Sequence, residues 1–210
     1  ILPPLEATMV KIYGSPKSSA GRCYWALEEA GIDYERADVS FSDKEHKSEA
    51  FRALNPNGKV PVFVDGDLVL WESVAINRYL FETHLPEGVG TTPAERALTW
   101  QWSLWSQIQY QVPLVALFIQ LVFVPEERRD EAAMQVARAK IGPLNTLLDT
   151  HLAQTGHVVG DHFTVADLDV ASVARLNGML GIDVSDCPHL TAWLERTLAR
   201  PACQRVDAME

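Results

Sequence analysis

Three cysteines in 210 residues, Cys23, Cys187 and Cys203, form no C-x-x-C pair. So few rule out a disulfide framework and fit a reducing compartment. Positive charge is also in short supply, with 18 Lys and Arg against 28 Asp and Glu and a net charge of -10. That balance argues against nucleic acid or an anionic membrane surface as a partner. No uninterrupted apolar run reaches transmembrane length and no signal peptide is evident, so a cytoplasmic location is expected. His84, His151, His157, His162 and His189 show no metal-ligand spacing, and the chain contains no P-loop, dinucleotide fingerprint, internal repeat or low-complexity tract. What is present is apolar: 47% of the residues are hydrophobic, enough for one large core or two small ones.

The first half alternates short strands with helices. Residues 1–8 read as a proline-containing leader with no clear periodicity, and Met9 is a candidate natural start. Val10 to Tyr13 reads as a strand, broken by Gly14-Ser15-Pro16. A helix with Cys23, Ala26, Leu27 and Ala30 on one face follows and stops at Gly31. Ile32 to Val39 reads as a second strand and Lys44 to Leu54 as a polar helix. Val60 to Val64 and Leu68 to Leu70 then form a hairpin closed by Asp65-Gly66, which feeds a helix from Glu72 to His84. This β-α-β-α-β-β-α order predicts a thioredoxin-like α/β domain over 9–84.

Residues 85–92, with Pro86, Gly88 and Gly90, are the expected linker. Beyond them the periodicity turns helical, from Pro93 to about Leu121 and from Glu126 to Leu152, and no later segment reads as a strand. An all-α helical-bundle domain over 93–210 is therefore expected, with Pro113 and Gly142-Pro143 kinking or splitting its long helices. Thr164-Val165-Ala166-Asp167 has the pattern of a capping box opening a buried helix, which makes Thr164 and Asp167 structural residues.

One stretch carries more than local structure. Asn55-Pro56-Asn57-Gly58-Lys59-Val60-Pro61 precedes the hairpin, and Glu72-Ser73-Val74-Ala75-Ile76 follows it. Pro61 cannot donate to a ladder, so it belongs at an edge, at a bulge or after a cis bond, where free backbone groups can receive a peptide-like ligand. Ser73, as N-cap or first-turn residue, sits among unpaired amides that favour an anion. This pair of motifs resembles the cytosolic glutathione S-transferase family, and Gly160-Asp161-His162-Phe163-Thr164-Val165-Ala166-Asp167 resembles the capping motif of that family's second domain. The resemblance runs from Met9 to the end of the chain. It implies a Ser-type member, theta-like, zeta-like or of a related bacterial class.

By matching position, the resemblance implies that the backbone at Val60 and Pro61 pairs with the cysteinyl part of glutathione and that Glu72 and Ser73 hold its γ-glutamyl end. His46 and Lys59 match residues that reach the glycyl carboxylate. Ser18, four residues before Arg22, matches the serine that contacts the thiol, with Ser19 as the alternative. A hydroxyl without His or Asp partners is no hydrolase nucleophile, but it can donate to a thiolate. The implied cofactor is glutathione as co-substrate, with no metal. The implied partners are a small hydrophobic electrophile and a second copy in a homodimer. Trp105 and Gln109, one turn apart, are the candidate second-substrate residues. Two other readings remain open: a non-catalytic binding or regulatory module on the same fold, and a glutathione-dependent isomerase or peroxidase. A thiol-disulfide oxidoreductase is disfavoured because no cysteine stands where the first helix begins.

Overall fold

The computed structural model describes residues 9–209, so the expected leader lies outside the described residues. These residues form two compact units, 9–85 together with 201–209, and 86–200. In the first unit β1 (Val10–Tyr13), β2 (Tyr34–Ala37), β3 (Val62–Asp65) and β4 (Leu68–Trp71) make one sheet in the order β2-β1-β3-β4. β1 runs parallel to β2 and antiparallel to β3, and β3 and β4 form the hairpin. Asp65 pairs with Leu68, so the two-residue loop is Gly66-Asp67, one residue later than the Asp65-Gly66 turn expected from sequence. Gly66 at φ 56 supplies the positive dihedral such a tight loop requires.

The helices of this unit are α1 (Gly21–Ala30), α2 (Glu49–Leu54), α3 (Ser73–His84) and α10 (Pro201–Asp207). α1 buries Cys23, Tyr24, Trp25, Ala26 and Leu27 and ends at Gly31 in the left-handed conformation. The helix expected from Lys44 is broken: a 3-10 turn covers Glu45–Lys47, and α2 starts anew because the Ser48 hydroxyl accepts from Phe51 N at 3.2 Å. α10 packs on α1, where Arg205 Nε donates to Glu28 at 2.5 Å. The helical domain expected over 93–210 therefore gives up its last helix to the first unit. Sequence periodicity reports that a helix is amphipathic, not which body its apolar side covers.

The second unit is all helical: α4 (Pro93–Trp105), α5 (Gln111–Val122), α6 (Glu131–Thr155), α7 (Val165–Ala174), α8 (Leu176–Met179) and α9 (Pro188–Leu198). A 3-10 turn over Pro86–Val89 occupies part of the expected linker, and Thr92 within it caps α4 through a capping box with Glu95. α4 and α5 are joined without a break by a π turn, Ser106–Tyr110, in which Gln111 N donates to Ser106 O. Pro113 lies just beyond and cannot donate to the Gln109 carbonyl, so a π turn stands next to the point where the sequence predicts a kink or split. Pro143 does not split α6, which runs through it for 25 residues. Gly142 before it has no Cβ to meet the proline ring.

Asp167 is the centre of this unit. It is fully buried and forms the capping box with Thr164. Its Oδ2 accepts from Thr164 N and Oγ1, each at 3.0 Å, and its Oδ1 accepts from Val158 N at 3.0 Å and Trp193 Nε1 at 2.9 Å. One carboxylate thus ties the start of α7 to the preceding loop and to α9. Asp167→Ala strands buried donors in three segments, so denaturant unfolding of that variant is expected to show a loss of about 3–5 kcal/mol, with turnover per folded molecule retained.

Candidate functional site

The site in the first unit begins at Gly14, where β1 ends. Its φ is 117, and a Cβ there would lie 2.9 Å from the Cβ of Val60. Only glycine lets the segment from Ser15 to Ala20 pass this close to the chain entering β3. The buried Tyr24 hydroxyl donates to the Gly14 carbonyl at 2.8 Å and holds the junction from α1. Burial pushes that phenol up to about 12, so it stays a neutral donor. The Val60-Pro61 peptide is cis.

A cleft of about 300 Å³ opens beside this junction. It is lined by Ser18, Ser19, Phe41, His46, Lys47, Gly58, Lys59 and Val60. The structure thus brings together the two serines, Val60, and the His46 and Lys59 expected at the glycyl end. Ser18 lies three residues ahead of α1, not in its first turn, because Pro16 to Ala20 is occupied by turns. Its Oγ donates to Ser15 O at 2.7 Å and accepts from Ala20 N at 3.2 Å. Ser19 is exposed, and its Oγ donates to Val60 O at 3.0 Å. Tyr13 is absent from the cleft and packs edge-on against Phe51. Cys23 is buried and directs Sγ at Ser73 O, 3.7 Å away.

The cationic end of the cleft is built by one loop. Asn55, nearly buried, accepts from Asn57 N at 3.0 Å and donates to Lys59 O at 2.7 Å. Lys47, unremarked in the sequence, donates from Nζ to Gly58 O at 3.1 Å. Gly58 has φ 58, and a Cβ there would fall 2.6 Å from His46 O. The loop therefore presses on the 3-10 turn that carries His46 and Lys47. Beside Phe41 (ring centroids 4.8 Å apart), His46 keeps a buried Nδ1 that has no hydrogen-bond partner among the described residues. Lys47 follows His46 directly, and that adjacency was the available signal for it.

Glu72 and Ser73 are not among the residues lining this cleft. Val62 pairs with Trp71 at the end of the β3-β4 ladder, so Glu72 and Ser73 follow directly from the strand end beside Val62. Glu72 is the N-cap of α3, not its first helical residue, and holds φ 72 and ψ 111. A glutamate at positive φ costs on the order of 1–3 kcal/mol, a strain typical of ligand-holding positions. Ser73 is buried in the first turn of α3. In the second unit Trp105 is half-buried and Gln109 exposed on the π turn. Trp105 stacks on Tyr110 at 5.1 Å and 30° and meets Trp102 edge-on. Among the described residues, no group of three or more His, Cys, Asp or Glu side chains gathers as a metal site, and no helix is long and apolar enough to cross a membrane.

Gly14→Ala tests the junction. The added methyl meets Val60 in a backbone conformation that L residues avoid, so the variant is expected to lose about 2–4 kcal/mol in thermal or denaturant unfolding. Its affinity for any ligand held at Val60 should fall with it, as calorimetry can follow.

Two family models match the chain: the glutathione S-transferase N-terminal domain over residues 8–82 and the glutathione S-transferase C-terminal domain over residues 112–201. Glutathione S-transferase 4 of Zea mays is 33% identical over 207 residues, covering 94% of this chain and 91% of the relative. The probable glutathione S-transferase GSTF2 of Oryza sativa subsp. japonica is 34% identical, covering 95% of this chain and 96% of the relative. Among solved structures, glutathione S-transferase-I bound with lactoylglutathione superposes with a TM-score of 0.88 at 31% identity, over 97% of this chain and 100% of that one. The theta class glutathione S-transferase of Xanthomonas axonopodis pv. citri with glutathione bound gives 0.88 at 37% identity, over 96% and 98%. With both domain models and near full-length relatives in agreement, this chain belongs to the glutathione S-transferase family.

Proposed function

We propose that the protein is a glutathione transferase that binds glutathione in the cleft of its first unit and activates the thiol for attack on a small hydrophobic electrophile. The observation that carries this reading is the convergence of Ser18, Ser19, His46, Lys47, Lys59 and Val60 on one cleft in a chain of this family. Glutathione at neutral pH has a carboxylate at each end, an ammonium at one end and a peptide between. His46, Lys47 and Lys59 supply cationic or donor groups for the glycyl carboxylate. Val60, before Pro61, offers backbone groups to the cysteinyl unit. Ser73 and the first amides of α3 suit the γ-glutamyl carboxylate, and Glu72 suits its ammonium.

The thiol then lies toward the serine turn. A hydroxyl donating to sulfur stabilises the thiolate by about 1.5–3 kcal/mol, or roughly one to two pKa units. From an ordinary thiol value near about 8.5, that makes thiolate abundant at neutral pH, with the proton released to water. Ser18 is the proposed donor and Ser19 the alternative. Ser18 must turn its hydrogen away from Ser15 O to do this, whereas Ser19 must leave Val60 O. The thiolate attacks the electrophilic carbon, and the leaving group departs with the bonding pair or, in an addition, the proton returns to the product. Trp105 and Gln109 are the proposed contacts for the electrophile. Within the family we propose a Ser-type chain, theta-like, zeta-like or of a related bacterial class, acting in the cytoplasm as a homodimer. The partition is a glutathione-binding part within 9–84 and a helical part from residue 93.

Ultraviolet titration of the bound thiol separates the serines. Ser18→Ala is expected to raise the thiol pKa by roughly one to two units and lower turnover with an aryl halide, while glutathione affinity stays near wild type. The same result in Ser19→Ala alone would transfer the role. Calorimetry tests the other end. Glu72→Ala and Ser73→Ala should each weaken glutathione binding about tenfold or more with little change in bound-thiol pKa. Wild-type protein that fails to bind millimolar glutathione would overturn the enzyme reading and leave a non-catalytic module.

A further inference from the structure

The helical unit contains a closed ring of polar side chains that neither the glutathione cleft nor the Asp167 cap uses. Tyr110, Asn145 and Asn177 are all buried. The Tyr110 hydroxyl donates to Asn145 Oδ1 at 2.5 Å, Asn145 Nδ2 donates to Asn177 Oδ1 at 3.0 Å, and Asn177 Nδ2 donates back to the Tyr110 oxygen at 2.7 Å. Asn177 Nδ2 also reaches Ala174 O at 2.9 Å. Burial pushes the Tyr110 phenol well above its ordinary range, so its proton stays in the ring.

The ring joins the two places where proline has removed a helical hydrogen bond. Tyr110 closes the π turn three residues before Pro113, and Asn145 lies two residues after Pro143 in α6. These are the softest points of the two long helices, and the ring fastens them to each other and to α8. A core of Phe and Leu at these positions would bury as much apolar surface and leave the π turn free to slide. What the polar ring adds is a fixed position for one aromatic plane, and Trp105 is stacked on that plane. The same turn presents Gln109 to solvent. π turns recur at functional sites because they aim side chains that an α-helix cannot.

We infer that Tyr110 is a positioning residue for the electrophile: its hydroxyl, locked in the ring with Asn145 and Asn177, sets the plane of Trp105. The inference rests on the proposed contact between Trp105 and the electrophile. Tyr110 itself touches no substrate. Loss of the hydroxyl keeps the stacking partner but frees it to shift, so the effect falls on electrophile binding and spares the thiol.

Steady-state kinetics with glutathione and an aryl halide on Tyr110→Phe, Trp105→Leu and the double variant test this. Tyr110→Phe is expected to raise KM for the aryl halide roughly three- to tenfold, with KM for glutathione and the bound-thiol pKa unchanged. Trp105→Leu should raise the same KM, and the double variant should be no worse than Trp105→Leu, because Tyr110 acts through Trp105. If Tyr110→Phe does not fold, Asn145→Ser opens the ring from the other side and should give the same split. A folded Tyr110→Phe or Asn145→Ser enzyme with wild-type aryl-halide KM, or additive effects in the double variant, would overturn the inference. An unchanged KM in Trp105→Leu would overturn it through its premise, whereas absent glutathione binding in wild type would strike the proposed function itself.

Discussion

A glycine hydrogen standing where a methyl would collide with Val60 is the constraint on which the first unit depends. Because Gly14 brings the end of β1 within contact of the chain entering β3, the serine turn and the segment before Pro61 become neighbours despite their distance in sequence. Tyr24 holds that junction from α1 through the Gly14 carbonyl, and Ser19 bridges it at Val60 O. The second glycine contact, Gly58 against the His46 carbonyl, sets the cationic side in the same way. Both positions use absent side chains to bring backbones together, so the cleft is shaped by what cannot be inserted as much as by the groups that line it.

The helical unit solves a different problem with polar chemistry. Its helices carry two internal prolines, and two clusters of its buried polar side chains act as nodes between segments. At Asp167 a single charge is satisfied by four donors, so the start of α7, the loop before it and α9 are held by one residue. At Tyr110 no charge is involved, and three neutral side chains each give and take one bond around a ring. Neither node is a source of large net stability while intact. Each makes alternative packings costly, because any slip leaves a buried donor or acceptor unpaired.

The parts legible in the sequence are those with local causes. The hairpin, the stop at Gly31 and the Thr164 to Asp167 cap all follow from residue chemistry within a few positions, whereas the strand read from Val60 begins only at Val62, after Pro61. The resemblance carried by Asn55 to Pro61 and Glu72-Ser73 named residues that converge on one cleft in Ser18, Ser19, His46, Lys59 and Val60, but not Glu72 and Ser73, which stand at the adjoining strand end. Lys47 escaped notice because its role depends on meeting the Gly58 carbonyl, a contact with no sequence periodicity. The π turn was hidden for a similar reason: Pro113 announces a missing hydrogen bond but not the turn type the ladder adopts around it. Glu72 at positive φ reflects the meeting of β4 with α3, and no propensity scale favours glutamate there.

The return of α10 to the first unit has a consequence for the order in which the protein assembles. The surface of α1 that α10 covers is made early in synthesis, while the helix that covers it is made after the whole of the second unit. A ribosome-bound chain that has emitted only the sheet, the serine turn and the cleft loop still lacks the Arg205 to Glu28 tie. Maturation of the earlier-made body is thereby coupled to completion of the later one, and resistance of stalled chains to protease should rise only once residues 201–209 have emerged.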